Sequence, residues 1–240
     1  MIRLHLVRHG QASFDSDDYD QLSALGTRQA DCLGQWWRAQ GLSADAVWHG
    51  GMRRHLQTAQ GWQAAQASST PPLQIHPGLR EFDHREVFFA HRPDLRDAAA
   101  LQAWKAAPGD YALRFADTYA QAQARWLAGM HPADYTESWT AVSTRVLAAL
   151  VELSHALQPL ARQQGTADAL VFTSAGPISA VIQQLRQWPV DRVATLQSGL
   201  HNAGVTVLHL AAPEQIATWQ LAAVDRTAHL DALGVAASHR

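Results

Sequence analysis

The sequence predicts an α/β fold: a three-layer sandwich with a mainly parallel central sheet, helices on both faces, and a helical lid insertion. Three observations predict it. Short apolar runs of strand length alternate with longer amphipathic segments. Glycine and proline punctuate the junctions between them. One stretch, residues 83–135, interrupts the alternation with Ala- and aromatic-rich helical sequence broken by Pro93, Pro108, Gly109 and Pro132. Short helices set between strands of a sheet fit a lid, and they fit extra packing around the core equally well. The 240 residues suit one domain carrying that insertion.

The elements follow in order. Residues 2–8 read as a buried strand, with Ile2, Leu4, Leu6 and Val7 apolar, ending at Arg8-His9-Gly10. A polar loop over residues 11–20 carries four Asp. Ser23 or Thr27 can cap a helix that runs to about residue 40 and stops at Gly41. Residues 46–48 form a short strand, Gly50-Gly51 turns the chain, and a helix spans roughly residues 53–66. A third strand at residues 73–75 leads into Leu79-Arg80-Glu81. After the insertion come a helix at residues 142–157, a buried strand at 169–173 and a helix with Pro177 in its first turn. Residues 203–210 and 216–223 read as a late strand pair.

Composition narrows the function classes. With 47% hydrophobic and 17% charged residues the chain can build a substantial core. A net charge of −2 argues against a general nucleic-acid binder, although a few arginines can still focus field in a cleft. The single cysteine, Cys32, excludes an intrachain disulfide and any Cys-based zinc site. The thirteen histidines show no HExxH or comparable spacing, and no glycine fingerprint for a dinucleotide occurs. No metal and no cofactor are expected. The start, Met1 to Val7, is too short and polar for a signal peptide, and no run approaches a membrane span. The expected location is therefore cytoplasmic, without membrane or nucleic-acid partners, and self-association into a homodimer is compatible with this reading.

Two segments carry chemistry. A buried strand ending in Arg8-His9-Gly10 places both side chains at the carboxyl edge of the sheet, where open α/β folds bind ligands. A neutral imidazole there can attack phosphorus, and an adjacent guanidinium can clamp phosphoryl oxygens. Arg53-Arg54-His55-Leu56-Gln57-Thr58-Ala59 then opens a helix directly after the second strand. Arginines in a first helical turn oppose the helix dipole, and an anion at that N-terminus resolves the conflict.

With these segments the sequence resembles the histidine phosphatase (phosphoglycerate-mutase-like) superfamily. Leu6-Val7-Arg8-His9-Gly10 matches its opening strand and RHG. Arg54-His55-Leu56-Gln57-Thr58-Ala59 matches R-A-x-Q-T-A, with His55 in place of Ala. Leu22-Ser23-Ala24-Leu25-Gly26 and Gln29-Ala30 match L-[ST]-x-x-G-x-x-Q-A, and Glu81 matches the glutamate after the third strand. The resemblance implies that His9 is the phosphorylated nucleophile and that Arg8 and Arg54 bind the phosphoryl group. It implies that Glu81 protonates the leaving oxygen and then activates water, on a small phosphorylated substrate. Phosphoryl transfer needs these three provisions, and no metal where arginines supply the charge.

One position departs from the pattern. The family carries a second histidine in V-x-H-G-G, whereas the aligned stretch is Val171-Phe172-Thr173-Ser174-Ala175-Gly176. Ser174 can donate one hydrogen bond to a phosphate oxygen but brings no positive charge, and loss of such a donor typically costs on the order of 10²–10³ in rate. His49, His55, His84 and His201 are candidates to compensate. Three readings stay open: a phosphomonoester hydrolase, a catalytically impaired phospholigand-binding or regulatory protein on the same fold, and a phosphoglycerate-type mutase. A mutase generally needs more basic residues in the lid, where Arg85, Arg92, Arg96 and Arg114 stand. Phe172-Thr173-Ser174-Ala175-Gly176 also resembles a nucleophile elbow, but the bulky Phe172 stands where G-x-S-x-G needs a small residue.

Overall fold

Alternating burial along two central strands sets the layers. In the computed structural model, which describes residues 1–13, 20–66 and 70–239, β1 (Ile2–Arg8) lies beside β4 (Ala167–Thr173) in parallel register, Leu6 opposite Val171. Ile2, Leu4, Leu6, Ala169 and Val171 point into one apolar cluster. Val7, Leu170 and Phe172 point into the other, as the two-residue period of a strand requires. Both faces are covered at the carboxyl halves of these strands, where Leu6-Val7 and Ala169 to Phe172 are continuously apolar, while Arg3, His5 and Asp168 stay half-buried at the other end.

Among the described residues the sheet has six strands in the order β3-β2-β4-β1-β5-β6. β2 (Ala46–His49) runs parallel to β4 and to β3 (Leu73–Ile75). β5 (Val205–Leu210) and β6 (Gln220–Arg226) complete one edge in antiparallel sense. One face is covered by α1 (Ala24–Ala39) and α2 (Arg53–Ala64), through Leu33, Trp37, Ala59 and Trp62. Ser23 caps α1, its Oγ accepting from the Gly26 N–H at 3.1 Å. Cys32, inside α1, has its thiol pushed up to about 11 by burial, so it is no nucleophile at neutral pH.

Between β3 and β4 come α3 (His84–His91), α4 (Ala98–Ala106), α5 (Tyr111–Leu127) and α6 (Trp139–Gln164). The helix α6 and α7 (Ala175–Arg186) pack the second face through Val146, Leu150, Leu153, Ile178 and Ile182. Two short helices, α8 (Val193–Gly199) and α9 (Ala228–Ala232), finish the chain.

Besides small shifts such as β4 starting at Ala167 rather than 169 and α2 ending at Ala64 rather than 66, the boundaries differ from the sequence reading at three places with a visible cause. The helix expected at residues 142–157 begins at Trp139, because Ser138 Oγ accepts from the Ala141 N–H, and it continues through Pro159. The strand expected from residue 203 begins at Val205, because Ala203 sits at φ 58°. The strand expected at 216–223 is Gln220–Arg226, since Ile216–Thr218 forms a 3₁₀ turn first. Of the polar loop at residues 11–20, positions 14–19 lie outside the described residues; its stem closes as an antiparallel bridge between Ala12 and Leu22. Among the described residues no helix is long and apolar enough to cross a membrane.

Candidate active site

The carboxyl ends of β1 and β4 and the start of α2 meet at one point, and backbone hydrogen bonds hold them there. The His9 N–H donates to the Thr173 carbonyl at 2.9 Å. The Gly10 N–H donates to Thr58 Oγ1 at 3.0 Å, and Thr58 Oγ1 donates to the Arg54 carbonyl at 2.7 Å. Gln29 Oε1 accepts from the Gln11 N–H at 2.9 Å, and Gln57 Oε1 accepts from the Leu22 N–H at 2.8 Å. The glutamines and threonine of the motifs thus pin the turn after His9 to two helices.

His9 is buried, and its chemistry is fixed by its neighbours. Nδ1 lies 2.7 Å from the Gly10 carbonyl, which only accepts, so Nδ1 carries the proton and Nε2 the lone pair. Arg54 Nε donates to that Nε2 at 3.1 Å. Burial, then the charges of Arg54 and Arg8, hold the imidazole well below its ordinary range, so it is neutral at neutral pH. Arg54 Nη1 also donates to Asp20 Oδ1 at 2.8 Å, and Asp20 Oδ2 accepts from the Arg53 N–H at 2.9 Å. An anion therefore does sit at the N-terminus of α2, and it is a carboxylate of the chain itself.

Glu81 follows β3 and the Pro77–Leu79 turn, and it is buried. Its Oε2 accepts from the Gly176 N–H at 3.1 Å and lies 3.7 Å from His84 Nε2. Burial pushes the carboxyl up, but the His84 contact, the Gly176 N–H and the Arg54 charge outweigh it and leave the group below its ordinary range. Gly176 is required by this approach, because a Cβ there would overlap Glu81 Oε1. The start of α7 thereby carries the carboxylate to the end of β4.

Arg8 is buried beside His9, with Nη1 donating to the Leu200 carbonyl and Nη2 to the His239 carbonyl at 3.3 Å. The C-terminal segment is thus tied to the site, and Gln29 Nε2 donates to Ala236 O at 2.9 Å as well. Ser174 is wholly buried, with its Oγ 2.6 Å from His55 Nε2. Of the other histidines singled out, His49 Nδ1 accepts from the Gly51 N–H and His201 Nδ1 pairs with Asp225 at 2.6 Å.

Beside Arg54 and Glu81 opens a cavity of about 640 Å³, lined also by Asp20, Arg80, His84, Arg85 and Trp126 among others. The arginines of the insertion divide. Arg92 is held on Asp94, and Arg114 donates to the carbonyls of Trp104, Lys105, Ala107 and Pro108, satisfying the end of α4. Arg96 lies over the Phe89 ring, and Arg85 reaches the cavity. Arg80 and Arg145 also line it and carried no motif signal; Arg145 is engaged by Glu137 and by the Gly78 and Arg80 carbonyls.

A mixed sheet with helices on both faces and a pocket at its carboxyl edge defines a phosphoglycerate-mutase-like α/β fold. The family model described as histidine phosphatase superfamily (branch 1) matches residues 4–131 and 115–221, and the chain belongs to that superfamily. Similar solved structures include a phosphoglycerate mutase from Bacillus anthracis str. Sterne, 18% identical with a TM-score of 0.63, over 96% of this chain and 95% of that one. A mycobacterial glucosyl-3-phosphoglycerate phosphatase is 22% identical, with a TM-score of 0.60 over 94% and 99%. A phosphoserine phosphatase from Entamoeba histolytica, solved with 3-phosphoglyceric acid, is 16% identical, with a TM-score of 0.59 over 96% and 100%. At these identities the likeness is one of fold. No curated protein sequence matches the chain.

Proposed function

We propose that the chain hydrolyses small phosphomonoesters through a phosphohistidine on His9. The observation that carries this reading is the fixed tautomer of His9, a buried neutral imidazole with its Nε2 lone pair facing the Arg54 guanidinium. In the first step Nε2 bonds to phosphorus as the ester P–O bond breaks, and the leaving oxygen takes a proton from Glu81. In the second, Glu81 takes a proton from water, the water oxygen bonds to phosphorus, and the P–N bond breaks to release inorganic phosphate. Arg54 and Arg8 offset the charge on the transferred group, as in other phosphoryl transfers.

Glu81 is ionised in the free site, since His84, the Gly176 N–H and Arg54 outweigh its burial. A phosphate dianion beside it raises its proton affinity, so the proton arrives with the ester or through His84 at the cavity wall. The helices between β3 and α6 serve as the lid, and Asp83, His84 and Arg85 at the start of α3 line the cavity on the side where the leaving group would sit.

Ser174 and the Asp20–Arg54 pair favour one second reading, a phospholigand-binding protein with little turnover. The test incubates wild type and His9→Ala with p-nitrophenyl phosphate and a panel of metabolite phosphomonoesters, scoring turnover and acid-labile phosphate. Wild-type turnover above the variant, with phosphate on His9, is expected. No excess on any ester, with phosphate binding retained, rejects the hydrolase in favour of the second reading.

A further inference from the structure

Two positions depart from the superfamily's motifs, and the structure brings them into contact. His55 stands where the helix motif has alanine, and Ser174 stands where the second histidine is expected. They are 119 positions apart in sequence, yet His55 Nε2 and Ser174 Oγ lie 2.6 Å apart, and neither residue is exposed at all. The His55 ring centroid is 5.7 Å from that of His9, the rings inclined by 33°. Space for the imidazole depends on Gly50, where a Cβ would come within 2.7 Å of His55 Nδ1. The rival histidines are engaged elsewhere: His49 at the Gly51 N–H, His201 at Asp225, and His84 at Glu81 and Tyr119.

We propose that His55 supplies from α2 the imidazole that β4 lacks, acting with Ser174 as one hydrogen-bonded unit at the phosphoryl site. The proposal rests on the phosphohistidine reading and adds a residue to it. Burial, then the Arg54 charge, keep His55 neutral, so it has one N–H to place. With the proton on Nε2, His55 donates to Ser174 Oγ. The Ser174 hydroxyl keeps its hydrogen and is then free to donate it in a hydrogen bond to a phosphoryl oxygen, and a donor already polarised by one bond donates more strongly. In that tautomer the buried Nδ1, which has no hydrogen-bond partner among the described residues, is a bare lone pair rather than an orphaned N–H. Ser174 is the catalytic residue of the pair, and His55 positions and polarises it. Neither residue explains itself alone. A buried imidazole with an orphaned nitrogen is a poor packing choice in a helix, and a wholly buried serine at a helix start makes no capping bond here.

Steady-state kinetics with p-nitrophenyl phosphate test the pair. His55→Ala and Ser174→Ala are each expected to lower kcat by about 10²-fold with little change in KM, and the double variant to be no worse than either. The exchange variant His55→Ala/Ser174→His, which returns the imidazole to β4, is expected to recover activity to within about tenfold of wild type. His55→Gln keeps an amide N–H near the Nε2 position and is expected to fall between wild type and His55→Ala. A His55→Ala enzyme within about threefold of wild type overturns the proposal, and so do single losses that add in the double variant. Should the alanine variant fail to fold, imidazole NMR of wild type decides. The His55 resonances are expected to shift when inorganic phosphate binds, and fixed His55 resonances at saturation overturn the pair. If wild type shows no turnover beyond His9→Ala, the hydrolase reading fails on its own. The pair is then judged by the affinity for vanadate, which mimics the phosphoryl group in transfer: a loss of about tenfold or more in both alanine variants upholds it, and unchanged affinity overturns it.

Discussion

Replacing Asp20 by asparagine is expected to tighten phosphate binding. In the free structure the Asp20 carboxylate lies on Arg54 Nη1 at 2.8 Å and takes the Arg53 N–H at the start of α2. It occupies the charge that an incoming phosphoryl group would use. Its side chain is 36% exposed, while that of Arg54 is 3% exposed. Two unit charges about 4 Å apart interact by about 4 kcal/mol at an effective dielectric constant of about 20. Solvent at the carboxylate and the mobility of an exposed side chain reduce the net value to about 1–2 kcal/mol. The asparagine side chain would keep an oxygen for the Arg53 N–H and lose only the charge, so α2 should start where it does now. The expected gain is therefore about 5- to 30-fold in affinity for inorganic phosphate or vanadate, read as competitive inhibition or by calorimetry. The gain should shrink as ionic strength rises, because the lost carboxylate is partly solvated. Equal or weaker phosphate binding by Asp20→Asn would refute the reasoning, since it would mean that Asp20 neither competes with nor repels the ligand.

Two further predictions follow from the same geometry. His9 and His55 are both held well below the ordinary 6.5 by burial first and by Arg54 next. As pH falls below about 6.5 the unfolded chain takes up protons on these groups that the folded chain does not, so stability falls with pH. Each contributes a slope that is about half-developed at pH 6.5 and approaches about 1.4 kcal/mol per pH unit by about pH 5.5, about 2.8 together. Urea midpoints measured between about pH 7 and pH 5.5 should drop accordingly, His9→Ala should flatten the drop, and a level wild-type profile rejects neutral burial. Gly176→Ala places a methyl group against Glu81 Oε1 and within 2.9 Å of the Phe82 ring. Its kcat should fall by about 10²-fold while phosphate affinity stays within about threefold, and an unchanged kcat would remove Glu81 from the proton transfers.

The fold class and the motif residues were legible because their causes are local. An apolar strand ending in Arg-His-Gly, and arginines where a helix start disfavours them, point to the carboxyl edge of the sheet without any distant information. The strand and helix types followed from hydrophobic period, while the ends of α6, β5 and β6 moved by a few residues because Ser138, the turn at Ile216–Thr218 and the backbone at Ala203 set them. What stayed hidden depends on contacts across long separations. Arg8 is held by the Leu200 and His239 carbonyls, and Glu81 is aimed by the Gly176 N–H; neither partner has a signature of its own. Asp20 is one acid among four in a polar loop, and only the fold brings it onto Arg54.

The two departures from the motifs show how such hidden contacts change a functional reading. Taken along the chain, Ser174 is a loss and His55 an unexplained substitution, and each lowers the expectation of catalysis. A phosphoryl site, however, is defined by where its donors end, not by which strand or helix carries them. β4 and α2 converge on the same few ångströms beside His9, so an imidazole can enter from either side. When it enters from α2, β4 must give up a large side chain for a small one, and Gly50 must leave room behind the ring. The three residues Gly50, His55 and Ser174 therefore form one steric solution, and a substitution at any of them should be tolerated only when another compensates. That coupling distinguishes a relocated imidazole from a decayed site, in which the three positions would vary independently.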